Sequence, residues 1–163
     1  MILFVSLSPA WQRTLTFDRL VLGEVCRASR VVETASGKGT NAARVAKQLG
    51  GDVLLLTTLG GVRGKLLAQS LKKQQLRLRV VPVAAETRLC QTLLGGGTAT
   101  ELVEETQPLS QREVASVLQT FERELPHAKI LVLIGTVPRG CGADSRRPSE
   151  HRLDYALRAG TAW

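Results

Sequence analysis

The chain has 163 residues, of which 44% are hydrophobic and 22% charged, a balance that is globular rather than disordered and suits one domain or a piece of a larger one. Its net charge of +8 points to an anionic partner, yet aromatic residues make up only 4% and the basic residues are scattered, which argues against nucleic acid. Three widely separated cysteines, Cys26, Cys90 and Cys141, offer neither a disulfide framework nor zinc-site spacing and fit a reducing compartment.

In chain order, Ile2 to Leu7 is a continuous apolar run ended by Ser-Pro, as expected for a strand covered on both faces in a parallel sheet. It is not preceded by basic residues and is shorter than a signal-peptide core, and no stretch approaches the ~20 apolar residues that span a bilayer. A cytoplasmic protein is expected. "RTLTFDRL" and "EVCRASRVVET" alternate apolar and polar residues, which predicts half-exposed strands in a small sheet off the main body. From Asn41 to Leu49, Ala42, Val45, Ala46 and Leu49 recur at helical spacing before a Gly-Gly stop. "DVLLLTTLGG" reads as a buried strand, and "GKLLAQSLKKQQ" as a second helix.

The segments "LRLRVVPV", "TRLCQTLL" and "GGGTATELVEE" alternate and predict an antiparallel flap. Ser110 followed three residues later by Glu113 is a capping box in front of a helix with Val114, Val117, Leu118 and Phe121 on one side. "AKILVLIGTVPRG" is the next buried strand, and the alternation of strands and helices predicts an α/β fold. After Cys141 the sequence turns polar and rich in Arg, Ser and Pro.

The stretch "ETASGKGTNAARVAKQLGG" places a glycine turn and Lys38 directly before the first helix, where free backbone N–H groups favour an anion. A dinucleotide fingerprint is excluded, because no apolar strand leads into the turn and the nearest acid, Asp52, opens the next strand rather than closing it. "LGGVRGKL" fails as a phosphate P-loop, having Leu59 and Leu66 where Gly and Ser or Thr are required. A substrate site remains, with N–H donors and the Lys38 ammonium on a phosphate and Asn41 on sugar hydroxyls.

The same stretch resembles the substrate-side signature of the ribokinase-like (pfkB) carbohydrate kinases, in the branch of 1-phosphofructokinase and tagatose-6-phosphate kinase. Asn41, Ala43, Gly50 and Gly60 fall at that signature's spacing. "VSLSPAWQRTLTFDRLVLGEVCRA", "ETRLC" and "LVLIGTVPRG" are similar, in order, to the family's opening turn and lid strands, its G-E-T-R segment and its S-G-S-L-P-P-G turn. The resemblance implies an α/β three-layer sandwich of the ribokinase-like, Rossmann-type kind with a small β-lid, the lid segments lying at about 12–34 and 78–104. It implies ATP-dependent phosphoryl transfer to a hydroxyl of a sugar phosphate, with ATP and Mg2+ serving the complete family member. It also implies a homodimer through the lid.

Carried over position by position, the resemblance implies that Gly37, Lys38 and Asn41 line the sugar-phosphate site, that Arg88 holds the existing phosphate, and that Gly135 and Thr136 border the sugar. Gln12 stands where the family's opening turn has an acid, Ser8 where it has Asn before Pro, and Val103 where its lid has Asn. The family's G-A-G-D turn, which carries the catalytic base, has no counterpart in this sequence, so no catalytic residue and no nucleotide site are expected here. The kinase-like part is expected to span 1–143, with 144–163 a non-matching, frameshifted or truncated ending. A sugar-phosphate-binding remnant without transfer and a basic nucleic-acid-binding protein are the competing readings.

Overall fold

The computed structural model describes residues 1–139. A parallel sheet is built from β1 (Ile2–Ser6), β4 (Val53–Leu59), β5 (Arg77–Pro82) and β8 (Ile130–Leu133), in the order β5-β4-β1-β8. A second sheet, in the order β3-β2-β6-β7, is built from β2 (Ala10–Thr16), β3 (Arg30–Ser36), β6 (Arg88–Gly95) and β7 (Thr98–Val103). Three α-helices join these strands: α1 (Lys38–Gln48), α2 (Gly61–Lys73) and α3 (Gln111–Glu124).

Side chains alternate across a strand, so the continuous apolar runs of β1 and β4 feed two cores at once. Leu3, Val5 and Leu7 join Leu54, Leu56, Val117 and Phe121 under α3. Phe4 joins Val53, Leu55, Leu67 and Leu71 under α1 and α2. The described residues therefore form helix, sheet and helix layers, as the family resemblance implies. Each fully buried leucine contributes about 1.5–3 kcal/mol relative to exposure, which is why Leu67 and Leu71 set the face that α2 turns inward.

The second sheet is the expected lid, with one correction. The segment 78–104 was expected to be lid throughout, but β5 pairs parallel with β4, Leu55 opposite Leu78 and Thr57 opposite Val80. Its alternation reflects an edge position in the main sheet. Arg79 lies on the α3 side of the strand, where its exposed guanidinium is bonded to Glu124 of α3, and Val81, on the same face, is buried beneath that helix. Alternation reports one wet side and does not distinguish an edge strand of a parallel sheet from an antiparallel flap. The second lid segment thus starts with β6 at Arg88.

Within the lid, β2 pairs antiparallel with β3 and parallel with β6, and β6 turns back into β7. Gly96 and Gly97 both have positive φ, 57° and 77°, between the paired Gly95 and Thr98, the backbone that a two-residue type I′ hairpin requires. The chain crosses between body and lid at four places: Leu7–Pro9, Ser36–Gly37, Glu86–Thr87 and Glu104–Thr106. The segment 144–163, expected as a non-matching tail, lies outside the described residues.

Candidate functional site

Parallel strands place their carboxyl ends on one edge of the sheet, the usual location of ligand crevices in α/β folds. Here that edge carries Leu7–Pro9 after β1, Gly60 after β4 and Ile134–Thr136 after β8. The lid crossings lie on the same edge, so the lid stands over the strand ends.

Close approach requires glycine at two positions of the α1 turn. Gly37, with φ 118°, would place a Cβ 3.1 Å from Cα of Pro9 and 3.4 Å from the Ser8 carbonyl oxygen. Gly39 would place one 2.5 Å from Ser6 Cβ and 3.0 Å from Ile134 Cγ2. The start of α1 is thereby pressed onto the ends of both β1 and β8. Gly135 and Thr136, which follow Ile134, border a cleft of about 270 Å³ with Val5, Leu7, Leu133 and Val137.

The three helix starts differ in how their orphan N–H groups are met. In α3 the Ser110 hydroxyl and the Glu113 carboxylate form the predicted capping box. In α2 the Glu86 carboxylate accepts from the N–H groups of Val62 at 3.1 Å and Arg63 at 2.6 Å. The start of α1 has no side-chain cap and no acidic residue in its first turn. Lys38 sits exposed at its first position and forms no ion pair or hydrogen bond among the described residues. Asn41, one turn on, donates weakly to the Ser36 hydroxyl at 3.4 Å. This end of α1 is thus a positive pole with its donors uncommitted.

Arg88 is held differently from a solvated strand arginine. Its Nη2 donates to the Ser8 carbonyl at 3.1 Å and its Nη1 to the Glu104 carbonyl at 3.1 Å. Its Nε is buried without a partner among the described residues, and Arg88 takes part in no ion pair there. The Ser8 carbonyl therefore touches both the Gly37 turn and the Arg88 fork, which brings those two predicted residues to one place. Gln12 is further along β2, and its amide donates to the Thr92 hydroxyl across the lid at 2.9 Å.

Several residues here escape sequence reasoning. Arg63 donates to the Thr87 carbonyl at 2.6 Å and pairs with Glu104 at 3.4 Å. Glu104 also accepts from the Leu89 N–H at 2.8 Å, and Thr106 donates to the Ser8 hydroxyl at 2.8 Å. The "ETRLC" segment signals Glu86 but not its capping role, and Arg63 and Glu104 carry no local signal. Burial pushes the Cys90 thiol up, against the pull of Arg88, which disfavours the thiolate form.

The described residues contain no group of three or more His, Cys, Asp or Glu side chains that could hold a metal ion. No helix among them is long and apolar enough to cross a membrane.

The fold is similar to that of solved sugar kinases. A protein from Thermotoga maritima described as a possible 1-phosphofructokinase superposes with a TM-score of 0.82 at 23% identity, over 100% of this chain and 52% of that one. Phosphofructokinase-2 from Escherichia coli, solved in complex with fructose-6-phosphate, superposes with a TM-score of 0.79 at 20% identity, over 98% of this chain and 52% of that one. The same enzyme in complex with substrates and products gives 0.81 at 21% identity, over 98% and 51%. The chain thus spans about half the length of these relatives. Residues 10–153 match the family description "pfkB family carbohydrate kinase", a match that starts inside the lid's first strand, takes in the α1 turn and Arg88, and extends past residue 143. The chain belongs to the pfkB family of carbohydrate kinases.

Proposed function

We propose that this chain is the sugar-phosphate-binding half of an ATP-dependent kinase that phosphorylates a hydroxyl of a sugar phosphate of the fructose 1-phosphate or tagatose 6-phosphate type. The observation that carries this reading is the uncapped start of α1, with Lys38 beside it, meeting Arg88 at the Ser8 carbonyl. A phosphate placed there would take charge-assisted hydrogen bonds from the Lys38 ammonium, from the first N–H groups of α1 and from the remaining donors of Arg88. Asn41 and Thr136 would face the sugar hydroxyls, with Gly37 and Gly135 allowing the backbone to approach. Gln12 would reach the sugar only by exchanging its bond to Thr92.

ATP would supply the transferred phosphoryl group and Mg2+ the charge neutralisation that such transfers need. None of the residues described here is assigned to either. On this reading the nucleotide site and catalytic base belong to chain that the 163 residues do not contain, and this polypeptide alone binds without transferring. The lid, with Val31, Val32, Leu102 and Val103 exposed, is the surface through which two copies would pair.

The test is calorimetry and thermal melting of the purified chain with fructose 1-phosphate, tagatose 6-phosphate and fructose 6-phosphate, alongside ATP. Stabilisation by at least one sugar phosphate, lost in Lys38→Met, is expected, with no sugar-dependent ATP consumption. Failure of all three to bind would overturn the reading of the site, and sugar-dependent turnover would overturn the reading of inactivity.

A further inference from the structure

We infer that Arg63 is a positioning residue that draws the Glu104 carboxylate away from Arg88 and so leaves the charge of Arg88 free for a substrate phosphate. The inference rests on the proposal that Arg88 meets that phosphate. Arg88 and Glu104 are neighbours across the lid hinge, with the Arg88 guanidinium bonded to the Glu104 backbone carbonyl at 3.1 Å. A carboxylate on the same residue is an obvious counter-ion. Yet it does not pair with Arg88.

The carboxylate turns instead to Arg63 Nη2, 3.4 Å away, and to the Leu89 N–H, 2.8 Å away. Arg63 is itself fixed, because its own N–H is held by Glu86 at 2.6 Å and its Nε by the Thr87 carbonyl at 2.6 Å. The start of α2 therefore presents a rigid cation to Glu104. Arg88 is oriented only by two neutral carbonyls, of Ser8 and Glu104, and keeps a buried Nε without a partner among the described residues. A guanidinium held by carbonyls is oriented without being neutralised, which is what an anion ligand needs.

The prediction has a sign that a purely structural role cannot reproduce. Removing the Arg63 cation frees the Glu104 carboxylate to pair with Arg88, so Arg63→Met should weaken binding of fructose 6-phosphate and of inorganic phosphate by about tenfold, the scale of one hydrogen bond to a charged group. Arg63→Lys keeps a cation beside Glu104 and should retain most of the affinity. The double variant Arg63→Met/Glu104→Gln has no carboxylate to misdirect and should bind more tightly than Arg63→Met alone. A simple loss of packing predicts the opposite order.

Titration calorimetry of the four proteins decides it. Recovery in the double variant supports the inference, and a double variant no better than Arg63→Met, or an Arg63→Met protein that binds as the parent does, overturns it. Should the parent bind neither probe, the proposed function is judged by fructose 1-phosphate and tagatose 6-phosphate and fails if they too do not bind. A ligand-free crystal structure of Arg63→Met then still judges the inference: Glu104 within 4 Å of Arg88 Nη supports it, and a carboxylate that stays on Leu89 overturns it.

Discussion

The Arg88 guanidinium and the Ser8 carbonyl, 80 positions apart in sequence, are joined by a 3.1 Å hydrogen bond where the body passes into the lid. The second arm of the fork reaches Glu104, where the chain leaves the lid. A lysine carries the same charge but cannot span two carbonyls with a planar fork. Arg88→Lys should therefore loosen both crossings as well as weaken phosphate binding. Losing one or two such bonds costs about 1–3 kcal/mol, read as a melting shift of about 2–12 °C for a chain of this size. Faster amide exchange at Leu89 and Ala10, with unchanged exchange in β4, would localise the loss to the hinge.

The α1 turn gives a second prediction. Alanine normally favours a helix over glycine by about 1 kcal/mol, so Gly39→Ala should stabilise α1 if the helix stood alone. Against β1 and β8 the added methyl meets Ser6 at 2.5 Å and Ile134 at 3.0 Å, and neither strand end can move far. Overpacking of this kind costs typically 1–3 kcal/mol. Gly39→Ala should lower the melting temperature and pull the α1 donors away from Ser8, weakening sugar-phosphate binding as well. A variant more stable than the parent would show that the helix start is not seated on the strands.

Ser110→Ala provides a contrast, because Ser110 caps α3 on the far side of the sheet from the site helices. Its loss removes one acceptor from the first turn and should cost about 1 kcal/mol, a melting shift of about 2–4 °C. Sugar-phosphate affinity should not change. The pair Gly39→Ala and Ser110→Ala thus separates global stability from site geometry.

What could be read from the sequence follows from how far apart the partners lie. The capping box needs residues three apart, and Ser110 and Glu113 were legible at once. The two-sided cores were legible because β1 and β4 open with unbroken apolar runs, Ile2–Val5 and Val53–Leu56, and the helical stripe of α1 is regular. The strand β5 was misread because Arg77 and Arg79 mimic the pattern of an exposed flap, and only its pairing with β4 places it in the body. The site was half legible. Gly37, Lys38 and Asn41 sit in one short stretch, whereas the bonds that orient Arg88 come from Ser8 and Glu104, and Arg63 acts on Glu104 across 104 − 63 = 41 residues. No local rule sees such partners.

The Glu124 carboxylate, buried at the end of α3, yields the pH prediction. The Arg79 guanidinium, bonded to it at 2.6 Å, holds the carboxyl below its usual range against the opposing effect of burial, and Arg123 at 3.5 Å adds to the pull. A carboxyl whose pKa is lower folded than unfolded binds fewer protons when folded. The resulting stabilisation is fully present above the unfolded value near 4.5 and is lost as pH falls through the lower folded value. Arg79→Met removes the main cause of the lowering and leaves a buried charge with a weaker partner, which should cost about 1–3 kcal/mol at neutral pH. As pH falls through the lower folded value, Glu124 becomes protonated in the parent as well and no longer needs a cation, so the stability gap between parent and variant should narrow steadily toward acid pH. Urea denaturation at pH 7 and pH 3.5 measures both ends, and a gap of equal size at the two values would show that Arg79 acts by packing on α3 rather than through the charge of Glu124.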